Sequence, residues 1–90
     1  MKHVLEYTAV VGFLPLAQRH APAHQARLRE FADRGLLLMA GPLDDPPSGD
    51  ALAVFTTREG AEQFVADDPF VTGGVVASWR IRPWREVLQP

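Results

Sequence analysis

The stretch DDPPSGD, residues 44–50, constrains the fold more than any other feature of this chain. Aspartate, proline, serine and glycine are the residues that form turns most readily. The stretch separates two short segments, LLLMAGPL (36–43) and ALAVFTT (51–57), which are apolar on both alternating faces. We therefore predict that these segments are strands two and three, joined by this loop.

A strand followed by a helix is predicted on the N-terminal side. Residues 2–11, KHVLEYTAVV, are rich in β-branched and aromatic residues, which indicates strand one. Pro22 suits the first position of a helix, where its missing N–H costs nothing. Leu28 and Phe31 then mark the buried side of helix one, and Gly35 is expected to end it as a left-handed cap.

The same pattern follows strand three. Thr56 and Glu59 have the spacing of a capping box, which predicts the start of helix two. Pro69 ends this helix, because the residue before a proline is driven away from helical geometry. Two glycines then turn the chain into residues 75–84, VVASWRIRPW, which read as strand four.

The order β-α-β-β-α-β predicts an α+β, ferredoxin-like fold with a four-stranded antiparallel sheet. Right-handed crossovers place both helices on one face of this sheet. Ninety residues with 47% apolar composition allow one domain, residues 1–90, and no second core. The other face of the sheet would expose the apolar residues of strands two and three, so we expect a homodimer that packs sheet to sheet.

Composition excludes several classes of partner and site. Eleven acidic and nine basic residues give a charge of −2 with no basic patch, which argues against nucleic acid. The chain has no cysteine, and therefore no disulfide, thiolate metal site or cysteine nucleophile. No apolar run reaches the roughly 20 residues of a membrane span. Glu6 interrupts the N-terminal apolar segment, so we predict a cytoplasmic protein, and eight arginines against one lysine favour a bacterial source.

His24 and Asp68 are the candidate reactive residues. His24, Leu28 and Phe31 lie at i, i+4 and i+7, so the histidine shares the buried face of helix one. Asp68 lies at the end of the corresponding stripe of helix two. A polar group on a buried face costs about 1–3 kcal/mol without a partner, which favours a hydrogen bond between the two. Such a pair suits acid–base catalysis.

Two other interpretations of these residues stay open. A buried histidine and aspartate often form a purely structural pair, and in that interpretation Asp68 simply accepts N–H groups in the turn before Phe70. His20 and His24 have metal-ligand spacing, but Pro22 is predicted to begin the helix between them and no third ligand follows at a recognisable distance. We therefore predict no metal and no cofactor.

The chain resembles the YciI-like (YCII-related) family over nearly its whole length. The similarity rests on a histidine at the start of helix one, a glycine before strand two, an AGP motif, a DP-aromatic motif, a glycine turn and a final proline-aromatic pair. These are His24, Gly35, Ala40-Gly41-Pro42, Asp68-Pro69-Phe70, Gly74 and Pro83-Trp84. Each motif is weak alone, but their order and spacing are specific.

The resemblance implies a dimeric α/β barrel with an active site centred on His24 and Asp68. The activity associated with the family is dehydrochlorination of chlorinated, hydroxylated aromatics. Gly41 and Pro42 would shape the wall of the site, and Phe70 and Arg19 would contact the substrate. Relatives tend to carry an arginine where this chain has Ala21, so Arg19 is displaced by two residues from the family position.

Two functions are compatible with these features. The first is a cofactor-independent enzyme that uses His24 and Asp68 for elimination or hydrolysis-like chemistry on a small cyclic or aromatic organic molecule. The second is a non-catalytic dimeric module that binds a small ligand, since the chain has no cofactor fingerprint.

Overall fold

The fold contains one antiparallel sheet of four strands. A computed structural model describes residues 1–90. In chain order the elements are β1 (Lys2–Ala9), α1 (Leu14–Asp33), β2 (Leu37–Pro42), β3 (Ala51–Phe55), α2 (Arg58–Asp67), α3 (Pro69–Thr72) and β4 (Val76–Trp84). The strands are ordered β2-β3-β1-β4, and all neighbours are antiparallel. The predicted α+β, ferredoxin-like βαββαβ fold is confirmed.

The core lies between the sheet and the helices. Strand residues alternate between the two faces of a sheet, so every second residue of β1, β3 and β4 points towards the helices. These residues pack with the aromatic side chains of α1 and α2. The main members of the core are Leu5, Tyr7, Phe31, Leu37, Ala53, Phe55, Ala61, Phe64, Val65 and Ile81.

The predicted start of helix one is wrong by eight residues. α1 begins at Leu14 with Pro15 in its first turn, whereas Pro22 lies inside the helix. A proline in a helix interior costs about 3 kcal/mol, because it removes a backbone hydrogen bond and crowds the preceding turn. The helix continues through Pro22 all the same, and Phe13 and Ala17 at its N-terminal end line the cavity described below.

The end of helix one follows the prediction for Gly35. This glycine has a φ of 75°, and its N–H donates to the carbonyl of Ala32 at 3.0 Å. The N–H of Leu36 donates to the carbonyl of Phe31, also at 3.0 Å. These two bonds form a Schellman motif, which ends the helix and aims the chain into β2.

Helix two begins one residue later than the predicted capping box. Thr57, and not Thr56, is the N-cap, and its Oγ1 accepts a hydrogen bond from the N–H of Gly60 at 3.0 Å. β1 and β3 also end two residues earlier than predicted. The short helix α3 was not predicted, because the glycine pair that follows it reads as a turn.

The face of the sheet opposite the helices is uncovered, and we call it the open face. Met39, Leu52 and Trp84 lie on it and are 65%, 37% and 51% exposed. Glu6 and Arg80 form an ion pair on the same face. None of the helices is long and apolar enough to cross a membrane.

Candidate active site

Asp68 is the centre of a buried hydrogen-bond network. It is 0% exposed and stands between α2 and α3. Its Oδ1 accepts hydrogen bonds from Nδ1 of His24 at 2.7 Å and from the N–H of Phe70 at 3.3 Å. Its Oδ2 accepts a bond from the hydroxyl of Tyr7 at 2.6 Å. A buried carboxylate is tolerated only with such partners, so three parts of the chain are tied to one side chain.

Pro69 explains why the carboxylate points inward at this place. The residue before a proline avoids the helical region, and Asp68 has φ and ψ of −65° and 126°. α2 therefore stops at Asp67, and Asp68 becomes the N-cap of α3, where its side chain meets the N–H of Phe70. The prediction placed Asp68 on the last turn of helix two, but it lies just beyond that helix in extended geometry.

His24 is held in one orientation by two contacts. Its ring stacks on Phe70 with the centroids 3.7 Å apart and the planes 6° apart. A carboxylate can only accept hydrogen bonds, so Nδ1 of His24 carries the proton that is shared with Asp68. In the neutral ring, Nε2 then keeps a free lone pair. His24 forms its hydrogen bond through Nδ1 only and lines a cavity, so Nε2 is available to a ligand.

Tyr7 is the member of the network that the sequence prediction missed. Burial, reinforced by the hydrogen bond to Asp68, raises the pKa of Tyr7 far above its usual value. The hydroxyl therefore stays protonated and serves as a permanent donor to the carboxylate. One signal was present: β1 alternation puts Tyr7 beside Leu5 on the helix-facing side, where a hydroxyl needs a partner.

A cavity of about 390 Å³ opens between the helices and the sheet, next to the free side of His24. Its walls come from β1, α1, β2, β3 and the aromatic rings of α2 and α3. Most of the lining side chains are apolar. This volume lies at the lower end of the range for small-molecule sites, which is about 300–1,000 Å³.

The structure places most of the predicted site residues around this cavity. His24, Gly41, Pro42 and Phe70 line it, and Asp68 lies directly behind His24. Arg19 is exposed on α1 and does not line the cavity. A contact of Arg19 with a substrate therefore stays a prediction that this geometry does not support.

Arg27 links the helix that carries His24 to the helix that leads into Asp68. Its Nε donates to the carbonyl of Phe64 at 3.1 Å, and its Nη2 donates to that of Gln63 at 2.8 Å. Both carbonyls lie in the second half of α2, and that of Phe64 is one of the last four carbonyls, which lack a partner within the helix. Arg27 is thus expected to fix the distance between the two halves of the site.

The reason given for separating His20 from His24 was wrong. Both lie within α1, because the helix begins well before Pro22. Their surroundings still differ. A Cβ atom added at Gly73 would lie 2.5 Å from Nε2 of His20, so this ring packs against the end of α3. No group of three or more histidine, aspartate or glutamate side chains is arranged to hold a metal ion.

Comparison with known proteins gives the family. The model of the YCII-related domain matches residues 1–85. The chain belongs to the YCII-related family. It is 34% identical over 77 residues to protein YciI of Escherichia coli O6:H1, an alignment that covers 74% of this chain and 79% of that protein. It is 32% identical over 75 residues to an uncharacterized protein of Haemophilus influenzae, which covers 72% and 76% of the two chains.

A solved structure shares the fold. It is the 5-chloro-2-hydroxyhydroquinone dehydrochlorinase TftG of Burkholderia phenoliruptrix AC1100, in complex with 2,5-dihydroxybenzoquinone. The two structures align with a TM-score of 0.76 over 94% of each chain, at 20% sequence identity. This likeness shows that the YCII-related chain and TftG share the α+β fold that the family resemblance implied.

Proposed function

We propose that this protein is a small enzyme that performs acid–base chemistry on a small, hydroxylated cyclic molecule. The observation that carries the proposal is the position of His24, which has one ring nitrogen bound to a buried carboxylate and the other free at an apolar cavity. Asp68 fixes the tautomer of His24 and stabilises the imidazolium that forms when Nε2 takes up a proton.

Elimination is the reaction class that this arrangement suits best. In a chlorinated 1,4-dihydroxybenzene, one hydroxyl proton would first move to the ring carbon that carries chlorine, which gives the keto tautomer with a tetrahedral C–Cl centre. Nε2 of His24 would then remove the proton of the second hydroxyl, and the electrons of that O–H bond would shift through the ring into new double bonds as chloride departs with its own bonding pair. The products are the unsaturated ring, the free anion and an imidazolium that returns its proton to water. These reaction steps transfer no net electrons to the protein, so they need no redox cofactor. The dehydrochlorinase TftG makes chloride the first leaving group to test.

The cavity walls supply the remaining contacts of the proposal. Phe70 lines the cavity and holds the ring of His24 by stacking on it, and Gly41 and Pro42 form part of the wall contributed by β2. A Cβ added at Gly41 would meet no atom within 4 Å, so this part of the wall is open. A ring-shaped substrate is therefore expected to lie beside His24, with its reacting atom towards Nε2.

The test compares turnover in His24→Gln with that of the wild type on chlorinated dihydroxybenzenes, followed by chloride release. We expect a loss of at least about 100-fold in kcat, the contribution typical of a general base. His20→Gln is the matched control, because His20 lies on the same helix outside the cavity. Turnover of His24→Gln at the wild-type rate would contradict the proposal.

The apolar cavity also supports a second function, the binding of a small ligand without catalysis. Such a module would lose affinity in His24→Ala but would have no rate to lose. Binding of the same compounds without chloride release from any of them would favour this alternative. A third result would identify a purely structural pair. In that case His24→Ala would lose much of its stability, but under conditions in which it stays folded it would bind ligands as the wild type does.

We also propose that two copies of the chain pair through the open face. The support is the exposure of Met39, Leu52 and Trp84 on one side of a four-stranded sheet, since monomeric proteins rarely leave such apolar patches uncovered. Light scattering coupled to size-exclusion chromatography should give the mass of a dimer. Met39→Glu should shift the equilibrium towards the monomer, whereas the same change at exposed Gln18 of α1 should not.

A further inference from the structure

The polar groups that line the cavity are few, and most of them are already engaged. Tyr7, His24 and Gln25 are the lining residues with polar side chains, and no lysine, arginine, aspartate or glutamate lines the cavity. The hydroxyl of Tyr7 and Nδ1 of His24 both bind Asp68. Two side-chain groups are left for a ligand, namely Nε2 of His24 and the amide of Gln25.

His24 and Gln25 approach the cavity from the same wall at different angles. They are successive residues of α1, and successive side chains of a helix are rotated by about 100°. Gln25 makes no hydrogen bond with the rest of the chain and is exposed, so it costs the fold nothing to point into the cavity. Its amide offers both a donor and an acceptor.

We propose that Gln25 is a specificity-determining residue, which selects an uncharged ring bearing two polar substituents, one bound by His24 and the other by Gln25. This inference rests on the proposed function of the same site and names its class of ligand. The cavity holds about 390 Å³, enough for a single substituted ring. A charged substituent would lose its hydration without gaining a fixed counter-charge, because no such charge lines the walls.

Binding of simple probes tests this inference without any need for turnover. The probes are phenol, the dihydroxybenzene isomers and benzoate, titrated into the wild-type protein, Gln25→Leu and Gln18→Leu. Gln18 is the matched control, because it is an exposed glutamine of α1 that does not line the cavity. Dissociation constants come from calorimetry or from NMR shift changes.

We expect at least one dihydroxybenzene to bind the wild type more tightly than phenol does. Gln25→Leu should weaken that isomer by about threefold to tenfold, the value of one hydrogen bond to a ligand, and should leave phenol unchanged. Gln18→Leu should match the wild type for every probe. Benzoate should bind more weakly than phenol.

Three results would overturn the inference. They are equal weakening of phenol and the dihydroxybenzenes by Gln25→Leu, binding of benzoate as tight as that of the best dihydroxybenzene, and no binding of any probe to the wild type. Failure of the proposed function looks different. In that case the binding pattern would depend on Gln25 as expected, but no chlorinated dihydroxybenzene would be turned over.

Discussion

The two faces of the sheet differ in how far their polar side chains are exposed to water. On the helix-covered face, the hydroxyl of Tyr7 is buried and donates to a carboxylate, Asp68, that is 0% exposed. On the open face, one residue away along β1, Glu6 pairs with Arg80, whose side chain is 66% exposed. Both are polar pairs between distant parts of the chain, but only the first is removed from water.

This difference explains why the site lies on the covered face. Hydrogen bonds are stronger in the buried interior than in water, and a buried polar group without a partner destabilises the fold. Asp68 therefore holds His24 and Tyr7 in one geometry. Near water, an ion pair is screened, and such pairs contribute about 0–1 kcal/mol. The covered face can therefore orient a base, whereas the open face offers apolar area for contact with another surface.

The largest effect is expected from Phe55→Ala. Phe55 is 0% exposed and belongs to the covered face, so its truncation should destabilise the protein by about 3–5 kcal/mol. Met39→Ala is the matched change on the open face and should cost less than about 1 kcal/mol in the isolated chain. Urea unfolding of both variants measures the contrast. At a protein concentration low enough to keep the chain monomeric, similar losses in the two variants would contradict the contrast between the two faces.

A smaller effect is expected at Asp68. Asp68→Ala leaves the donors of Tyr7, His24 and Phe70 without their partner, which should cost about 2–4 kcal/mol. Asp68→Asn keeps an acceptor oxygen and should remain folded, but it should lower turnover because the imidazolium loses its counter-charge. Glu6→Ala on the open face should cost at most about 1 kcal/mol. A fully stable Asp68→Ala protein would contradict this account of the covered face.

The smallest effect is a dependence of stability on alkaline pH. The pKa of Tyr7 is raised in the folded protein from a usual value of 10.0, so folding favours the protonated hydroxyl. Its contribution is complete below about pH 10 and is lost as pH rises, by about 1.4 kcal/mol per unit, because the unfolded chain releases this proton first.

Tyr7→Phe should remove this part of the pH dependence. Tyr7 is the sole tyrosine of the chain, so tyrosinate absorbance reports it alone. Equilibrium unfolding of the wild type and Tyr7→Phe between pH 8 and pH 11 measures the slope. Titration of Tyr7 in the folded protein at its usual pH would contradict a buried hydroxyl.

Local signals in the sequence predicted most of the fold. Gly35 has the left-handed conformation expected of a helix cap, and Pro69 ends helix two as predicted. Both signals act on the backbone of the residues beside them, so neighbouring residues are sufficient to read them. The prediction for the start of helix one was wrong, because Pro15 and Pro22 both suit the first turn of a helix by local rules alone.

The candidate site was predicted only in part. Helical spacing placed His24 and Asp68 on inward faces, and the structure brings them within 2.7 Å. Tyr7 was missed, because its partner lies 61 residues away along the chain. A buried hydroxyl on a strand indicates that some partner exists, but nothing in the neighbouring sequence says which one.

The sequence by itself determined the order of the four strands and the two long helices, the cap at Gly35, the end of helix two before Pro69 and the inward face of His24. These follow from periodicity and from backbone preferences, which are properties of a few adjacent residues. Only the tertiary structure decided that Pro22 lies inside a helix, that Tyr7 joins the network and that Gln25 lines the cavity. Each of these depends on the packing of separate elements, whose energy outweighs local preference.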